Sequence, residues 1–369
     1  MRKLSEKQLA LAILTIAGAL CIGFISLIGH SLPSQQGAKR FSGDGKRYAQ
    51  ISAFVTKGTT VLETNINNYR SSIQKALEEA SIESKSINGR LWVDCYSGKT
   101  NTNVVNGKIT EKVNMIGVGG DFFLFHPITM ISGYYFSSDA VMKDRILIDK
   151  EAAWQLFGSI DVVGLNLQVG NKTCVVAGVF ELSDDKLTNL AAGKTPIIIV
   201  PFELFTGISS TDALIDCYEM ILPNPVSGFA KQMALKSVDG VDLSSVTSSE
   251  IDLDELDIEI VENTNRFSLI RLIETMRKFR TRSMMRKPME YPFWENVARA
   301  TEDRAVILLL STIILLLLPI SFSCKWAWKR YKQRKWTIKN LNERIQEKVE
   351  EKKKKKWEEK KHEKEKSIK

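Results

Sequence analysis

Two windows of 20 residues without a charged side chain, Leu9–Ile28 and Ala305–Cys324, constrain this chain more than anything else in it. Each is long enough to cross about 30 Å of hydrocarbon as an α-helix. The long region between them is soluble in character. The formal net charge of +9 is an average over unlike parts. The stretch Lys325–Lys369 holds 19 Lys/Arg and 8 Glu, a net +11, and residues 1–8 carry +2, which leaves −4 for residues 9–324. Basic charge is therefore confined to the flanks of the two spans and does not mark a nucleic-acid-binding domain. Cytoplasmic flanks carry the excess of Lys and Arg, so both ends read as cytoplasmic and residues 29–304 as extracytoplasmic. The first apolar run exceeds the usual hydrophobic core of a cleaved leader, and no small-x-small site follows closely, so it reads as an uncleaved anchor.

The spans divide the chain. Residues 1–8 form a short cytoplasmic N-terminus, 9–28 transmembrane helix 1 and 29–45 a linker or stalk. Residues 46–264 form the extracytoplasmic domain and 265–304 a stalk helix with a juxtamembrane segment. Residues 305–324 are transmembrane helix 2 and 325–369 a basic cytoplasmic tail. In the outer domain, apolar residues cluster with β-formers in Tyr48–Val55. Ile66, Tyr69, Ile73, Ala76, Leu77 and Ala80 recur at spacings of three and four, which predicts an amphipathic helix over Asn65–Ala80. Arg90–Tyr96 reads as a strand, and Asn106-Gly107 as the turn of a hairpin between Val104–Val105 and Ile109–Val118. Further strands are expected at Ile197–Val200 and Cys217–Leu222, with a helix over Val226–Val238. The expected fold class is α+β, in an extracytoplasmic domain between two transmembrane helices.

Asp239–Glu262 holds nine acids and no Lys or Arg. Its acids do not fall at the offsets of an EF-hand loop. It reads as a solvated loop entering an edge strand, Leu256–Val261, with acids facing water. Phe267–Phe279 is expected to be a helix with Leu269, Ile270, Leu272, Ile273 and Met276 on an apolar side. A basic end follows, at Arg277, Lys278, Arg280, Arg282, Arg286 and Lys287. The cluster suits anionic headgroups, or equally the exposed face of a stalk. Tyr291, Phe293 and Trp294 sit where interfacial aromatics are expected.

The residues of catalysis are scarce. There are three histidines, His30, His126 and His362, too few for a zinc site of several histidines or a Ser-His-Asp triad. His126 reads as a packed or turn residue before Pro127. Ser97-Gly98-Lys99-Thr100 and Ala192-Gly193-Lys194-Thr195 imitate the end of a phosphate loop, but Val93 and Thr188 stand where its first glycine is required. No cofactor, metal or ATPase is expected. Cys95, Cys174 and Cys217 are widely spaced and odd in number, which argues against a disulfide framework, although a Cys95–Cys217 bridge stays open.

One ordered block carries more information. Phe122-Phe123 leads to a loop with Gly133, Phe136 and Asp139. An apolar strand, Ile146–Ile148, runs into a helix that ends Leu156-Phe157-Gly158. Val163-Gly164 makes a turn, and a strand with Val176-Ala-Gly178-Val179 follows. This order resembles the MacB-like periplasmic core domain of ABC-transporter permeases, over about 60 residues. The resemblance implies a domain that transmits conformation and performs no chemistry of its own, with Phe122, Phe123, Phe136, Trp154, Leu156 and Phe157 in its core and Gly158 and Gly164 as turns. Permeases of the family have two further helices after the second span, where this sequence has a charged tail. The resemblance therefore implies an accessory or permease-like subunit of an export or mechanotransmission complex. Its expected partners are a separate ABC ATPase, a complete permease or a second copy of itself, and the lipid bilayer with its anionic headgroups. A membrane-anchored sensor or adhesion module using the same fold is the alternative.

Overall fold

The computed structural model describes residues 6–42, 47–56, 59–82, 89–137, 140–209, 214–238, 258–280, 282–284 and 289–366. The chain separates into two units, Met1–Gly23 with Leu308–Lys369, and Phe24–Ile307.

The smaller unit is helical. Helix α1 spans Glu6–His30 and helix α10 spans Phe293–Lys366, and the first part of one and the long remainder of the other make up this unit. Both helices are long and apolar enough to cross a membrane. Within the unit, Gly18 packs against Leu316, and a methyl group on Gly18 would lie 2.6 Å from the Leu316 side chain. Small residues allow such close approach where lipid offers no hydrophobic drive to pair helices. Pro319 lies inside α10 without ending it.

The larger unit is built on a mixed ten-stranded sheet. Its strands are β1 (Tyr48–Val55), β2 (Val93–Asn106), β3 (Ile109–Gly120), β4 (Thr129–Gly133), β5 (Arg145–Asp149), β6 (Asn166–Val169), β7 (Lys172–Glu181), β8 (Ile197–Pro201), β9 (Cys217–Pro223) and β10 (Ile258–Glu262). They run in the order β10-β1-β9-β2-β3-β8-β5-β7-β4, and β6 bridges β2 and β7. The β3–β8 and β5–β7 pairs are parallel and the others antiparallel. The expected Asn106-Gly107 hairpin forms, and Gly107 adopts φ +60 there. Its first arm is longer than expected, because one continuous strand runs from Val93 through Val104–Val105 to Asn106, while Arg90–Trp92 of the expected strand lie before it.

Alternation along the strands sends side chains to two faces. On one face Tyr96, Met115, Ile148, Ile198 and Tyr218 form a core with α3 (Glu63–Glu79), α5 (Lys150–Phe157), α7 (Phe202–Ile208) and α8 (Phe229–Val238). On the other, Val93, Cys95, Ile116, Val118 and Ile199 pack under α2 (Gly37–Phe41), α4 (Phe122–Phe125) and Trp294 of α10. An ion pair, Arg70 Nε to Asp94 at 2.7 Å, ties α3 to β2, and the Tyr218 hydroxyl donates to the same carboxylate at 2.9 Å.

Helix α5 shows how sequence fixes the recognised block. Asp149 accepts from the amide of Ala152 at 2.6 Å, and its other oxygen accepts from the amide of Ile197 on β8, also at 2.6 Å. Gly158 closes the helix in the left-handed region at φ 68. Replacing Asp149 with Ala removes a cap and strands the Ile197 amide, a combined cost of about 2–3 kcal/mol. The Asp149→Asn variant, which keeps one acceptor, should recover part of that in a denaturant melt. Trp154 corrects the expected core. It is 51% exposed, because Ala152, Ala153 and Leu156 form the buried stripe of α5 and Trp154 points away from it.

Candidate functional site

A dense group of buried charge lies at the root of α10. Residues 294–299 are buried on every side of the helix. This corrects the reading of Tyr291 and Trp294 as interfacial aromatics. Both are buried, Tyr291 against Phe54 and Trp294 against Phe122. The helix starts directly after Pro292, whose carbonyl accepts from the amides of Glu295 and Asn296.

Glu295, Arg299 and Glu302 fall at i, i+4 and i+7, one stripe of α10. Arg266, in the connection after β10, reaches this stripe. Its guanidinium donates to both oxygens of Glu295, at 2.7 and 2.6 Å, and through Nε to Glu302 at 2.6 Å. It also donates to Gln35 at 3.2 Å. Arg299 Nε donates to Glu295 at 2.6 Å, and its Nη2 donates to Glu259 of β10 at 3.0 Å. The Arg299 guanidinium lies 3.8 Å from the centroid of the Tyr291 ring, and the Tyr291 hydroxyl donates to Glu259. Arg282 adds a bond to Glu302. Burial works against the charge of Arg266, but Glu295 and Glu302 outweigh it and hold the pKa above the ordinary arginine value. We refer to this group as the clamp. It joins the edge strand, the segment after α1 and the helix that carries the second apolar run.

Beside the clamp lies a polar seam across the sheet. Ser52 on β1 and Cys95 on β2 stand directly opposite Glu219 on β9. Asn263 donates to Ser52, which donates to Glu219, both at 2.6 Å. Gln50 donates to Glu219 at 3.5 Å and to the Ser34 carbonyl at 2.8 Å. His126, at the end of α4, bonds Glu219 through Nε2 and stacks 4.3 Å from Trp294. His126 and Trp294 also line a cavity of about 480 Å³, with Pro33, Ile128, Leu187 and Val297 among its other walls. Their buried Nδ1 and Nε1 atoms have no hydrogen-bond partner among the described residues.

Of the block residues, Phe122 meets this root directly, against Trp294. Phe122 and Phe136 are buried and Phe123 half-buried, and Phe123 stacks on Tyr135 at 4.4 Å. Gly133 and Gly178 face each other across β4 and β7, and Gly164 turns the chain into β6 at φ 85. Leu156 is fully buried and Phe157 packs on the same core. Asp139 lies outside the described residues. Cys95 and Cys217 are free thiols, both buried. Ser97–Thr100 belongs to strand β2, where Lys99 pairs with Glu290 at 3.0 Å.

Sequence reasoning missed the clamp. It placed Arg266 and Glu295 in a stalk and the acids of the last strand in water, whereas Glu259 is held by Arg299 and Glu262 by Arg271. Residues 239–257 of the acidic stretch lie outside the described residues. The one available signal was the Glu295, Arg299, Glu302 stripe immediately before an apolar run. The apolar side of helix α9 (Leu269–Arg277) is also mostly uncovered: Leu272 is buried, while Leu269, Ile270 and Ile273 are exposed.

These features define a mixed α/β domain bracketed by two helices fit to cross a membrane. The family model of the MacB-like periplasmic core domain matches residues 9–249, more than half of the chain. The chain belongs to that family, whose relatives are ABC-type transporter permeases. Among solved structures, the periplasmic region of MacB from Actinobacillus actinomycetemcomitans is 13% identical. It covers 64% of this chain and 94% of its own, with a TM-score of 0.41. The extracellular domain of the noncanonic ABC-type transporter YknZ from Gram-positive bacteria is 14% identical, over 52% of this chain and 91% of its own, with a TM-score of 0.37. A domain of a putative permease protein from Porphyromonas gingivalis is 14% identical over 62% and 96%, with a TM-score of 0.31. A search of curated proteins found no match.

Proposed function

We propose that this chain is an accessory or permease-like membrane subunit of an ABC-type export or mechanotransmission complex. Its outer domain relays conformational change, and a separate ATPase supplies the energy. The observation that carries this reading is that one helix, α10, holds both the clamp residues Glu295, Arg299 and Glu302 and the apolar run 305–324. On this reading a movement of the helix root is passed to the sheet through Glu259 and Arg266. Buried ionic groups are best attested as devices that fix one register between elements. The basic flanks of both spans support cytoplasmic termini. The exposed Leu269, Ile270 and Ile273 of α9, followed by Arg277 and Lys278, suit an anionic bilayer surface.

The test is a gentle detergent pull-down of the full chain with mass spectrometry. Recovery of an ABC ATPase that is lost when 325–369 is deleted is the expected result. Recovery of the chain alone, or with wall-associated partners only, would move the weight to an anchored sensor or adhesion module.

A further inference from the structure

The polar seam contains an arrangement that the relay does not use. Cys95 Sγ, a ring nitrogen of His126 and a carboxylate oxygen of Glu219 all lie within 4.8 Å of one another, and all three residues are buried. We propose that these three side chains are the ligands of a zinc-class divalent ion, which fastens α4 to strands β2 and β9.

Three observations converge on this assignment. The donor set is one thiolate, one imidazole and one carboxylate, the mixture that a borderline-soft ion such as Zn²⁺ accepts at bond lengths of about 2.0–2.3 Å. Charge is the second. The buried carboxylates Asp94, Glu295 and Glu302 each face an arginine, whereas Glu219 is paired with His126. A divalent cation with the Cys95 thiolate and the Glu219 carboxylate makes a site of no net charge, which suits a buried position. The third is the support around the ligands. Cys95 and Glu219 are fixed as direct cross-strand partners. Ser52 and Gln50 hold the other Glu219 oxygen, and Asn263 in turn holds Ser52. Outer partners of this kind orient metal-binding carboxylates.

Binding releases the Cys95 thiol proton. With Nε2 as the ligand atom, the imidazole N–H stands on Nδ1, the atom that has no partner among the described residues. His126 also lines the cavity, which gives an ion a path to the site. The site was invisible in the sequence because its residues stand 31 and 93 positions apart. Counting histidines alone missed the two other donors.

The experiment uses the full chain in detergent, stripped with chelator and titrated with Zn²⁺ and, for its spectrum, with Co²⁺. One ion per chain, a thiolate-to-cobalt charge-transfer band, and a rise in melting temperature of roughly 5 °C at a hundredfold excess over Kd are expected. Cys95→Ala should melt like the stripped parent in chelator but show neither the band nor the rise. Cys174→Ala, which alters a thiol outside the trio, should keep both. The near-isosteric Glu219→Gln should weaken binding by about 100-fold or more, and it serves if Cys95→Ala fails to fold. Substoichiometric binding, absence of the band, its persistence in Cys95→Ala or its loss in Cys174→Ala would each overturn the site. None of these outcomes bears on the relay, because ATPase recovery is read separately.

Discussion

Arg266→Met should lower the stability of the outer domain by about 3–5 kcal/mol, because it leaves two buried carboxylates without their shared cation. The Met side chain fills much of the same volume, so the loss reports charge and hydrogen bonding more than a cavity. For a domain of this size the melting temperature should fall by on the order of 10 °C. Glu295 keeps Arg299, and Glu302 keeps Arg282, so the variant should still fold. Adding Glu302→Gln should restore part of the loss, since it removes a negative charge that Arg266 no longer balances. A double-mutant cycle between residues 266 and 302 should give a coupling well above the 0.2–1 kcal/mol typical of exposed ion pairs. A coupling near zero would mean that the clamp is incidental to the fold.

Gly133→Val should be the most damaging single change in the recognised block. The backbone there has φ +76, and an added Cβ would lie 2.2 Å from the Ala177 carbonyl oxygen and 2.6 Å from the Gly178 Cα. Neither is the yielding end of a side chain. Left-handed strain and overpacking together cost about 2–5 kcal/mol. The change should loosen β4 from β7 and, with them, the loop that carries Phe136. Gly158→Ala is the matched control. Its φ of +68 is similar, but nothing lies within 4 Å of the added Cβ. It should cost only the conformational strain, about 1 kcal/mol. Equal losses in thermal or denaturant melts would show that conformation alone matters at Gly133 and that its packing does not.

The legible parts of this fold were those governed by local rules. The period of α3, the Asn106-Gly107 turn and the glycine stop of α5 depend on neighbours in sequence, and each formed as expected. Trp154 departs from the expected core because its angle around α5 puts it opposite Ala152 and Leu156. The clamp and the polar seam were illegible for a different reason. Arg266 and Glu295 are 29 positions apart, Ser52 and Glu219 are 167 apart, and only strand order brings such pairs together. Before that order is known, a charged residue next to a membrane span looks like a solvated one. The buried run 294–299 also mixes Glu, Asn and Arg with Trp, Val and Ala, so hydropathy gives no hint that it is enclosed.

The central claim is that the root of α10 belongs to the outer domain and is not a flexible stalk. Amide hydrogen exchange of the full chain in lipid nanodiscs tests it most directly, because protection reports the free energy of local opening. Amides of residues 294–302 should exchange as slowly as those of β1 and β9, and in Arg266→Met they should speed up markedly while β3 and β8 stay protected. Fast exchange over 294–302 in the unaltered chain, beside a protected sheet, would contradict the claim and leave the outer domain mechanically uncoupled from the second span.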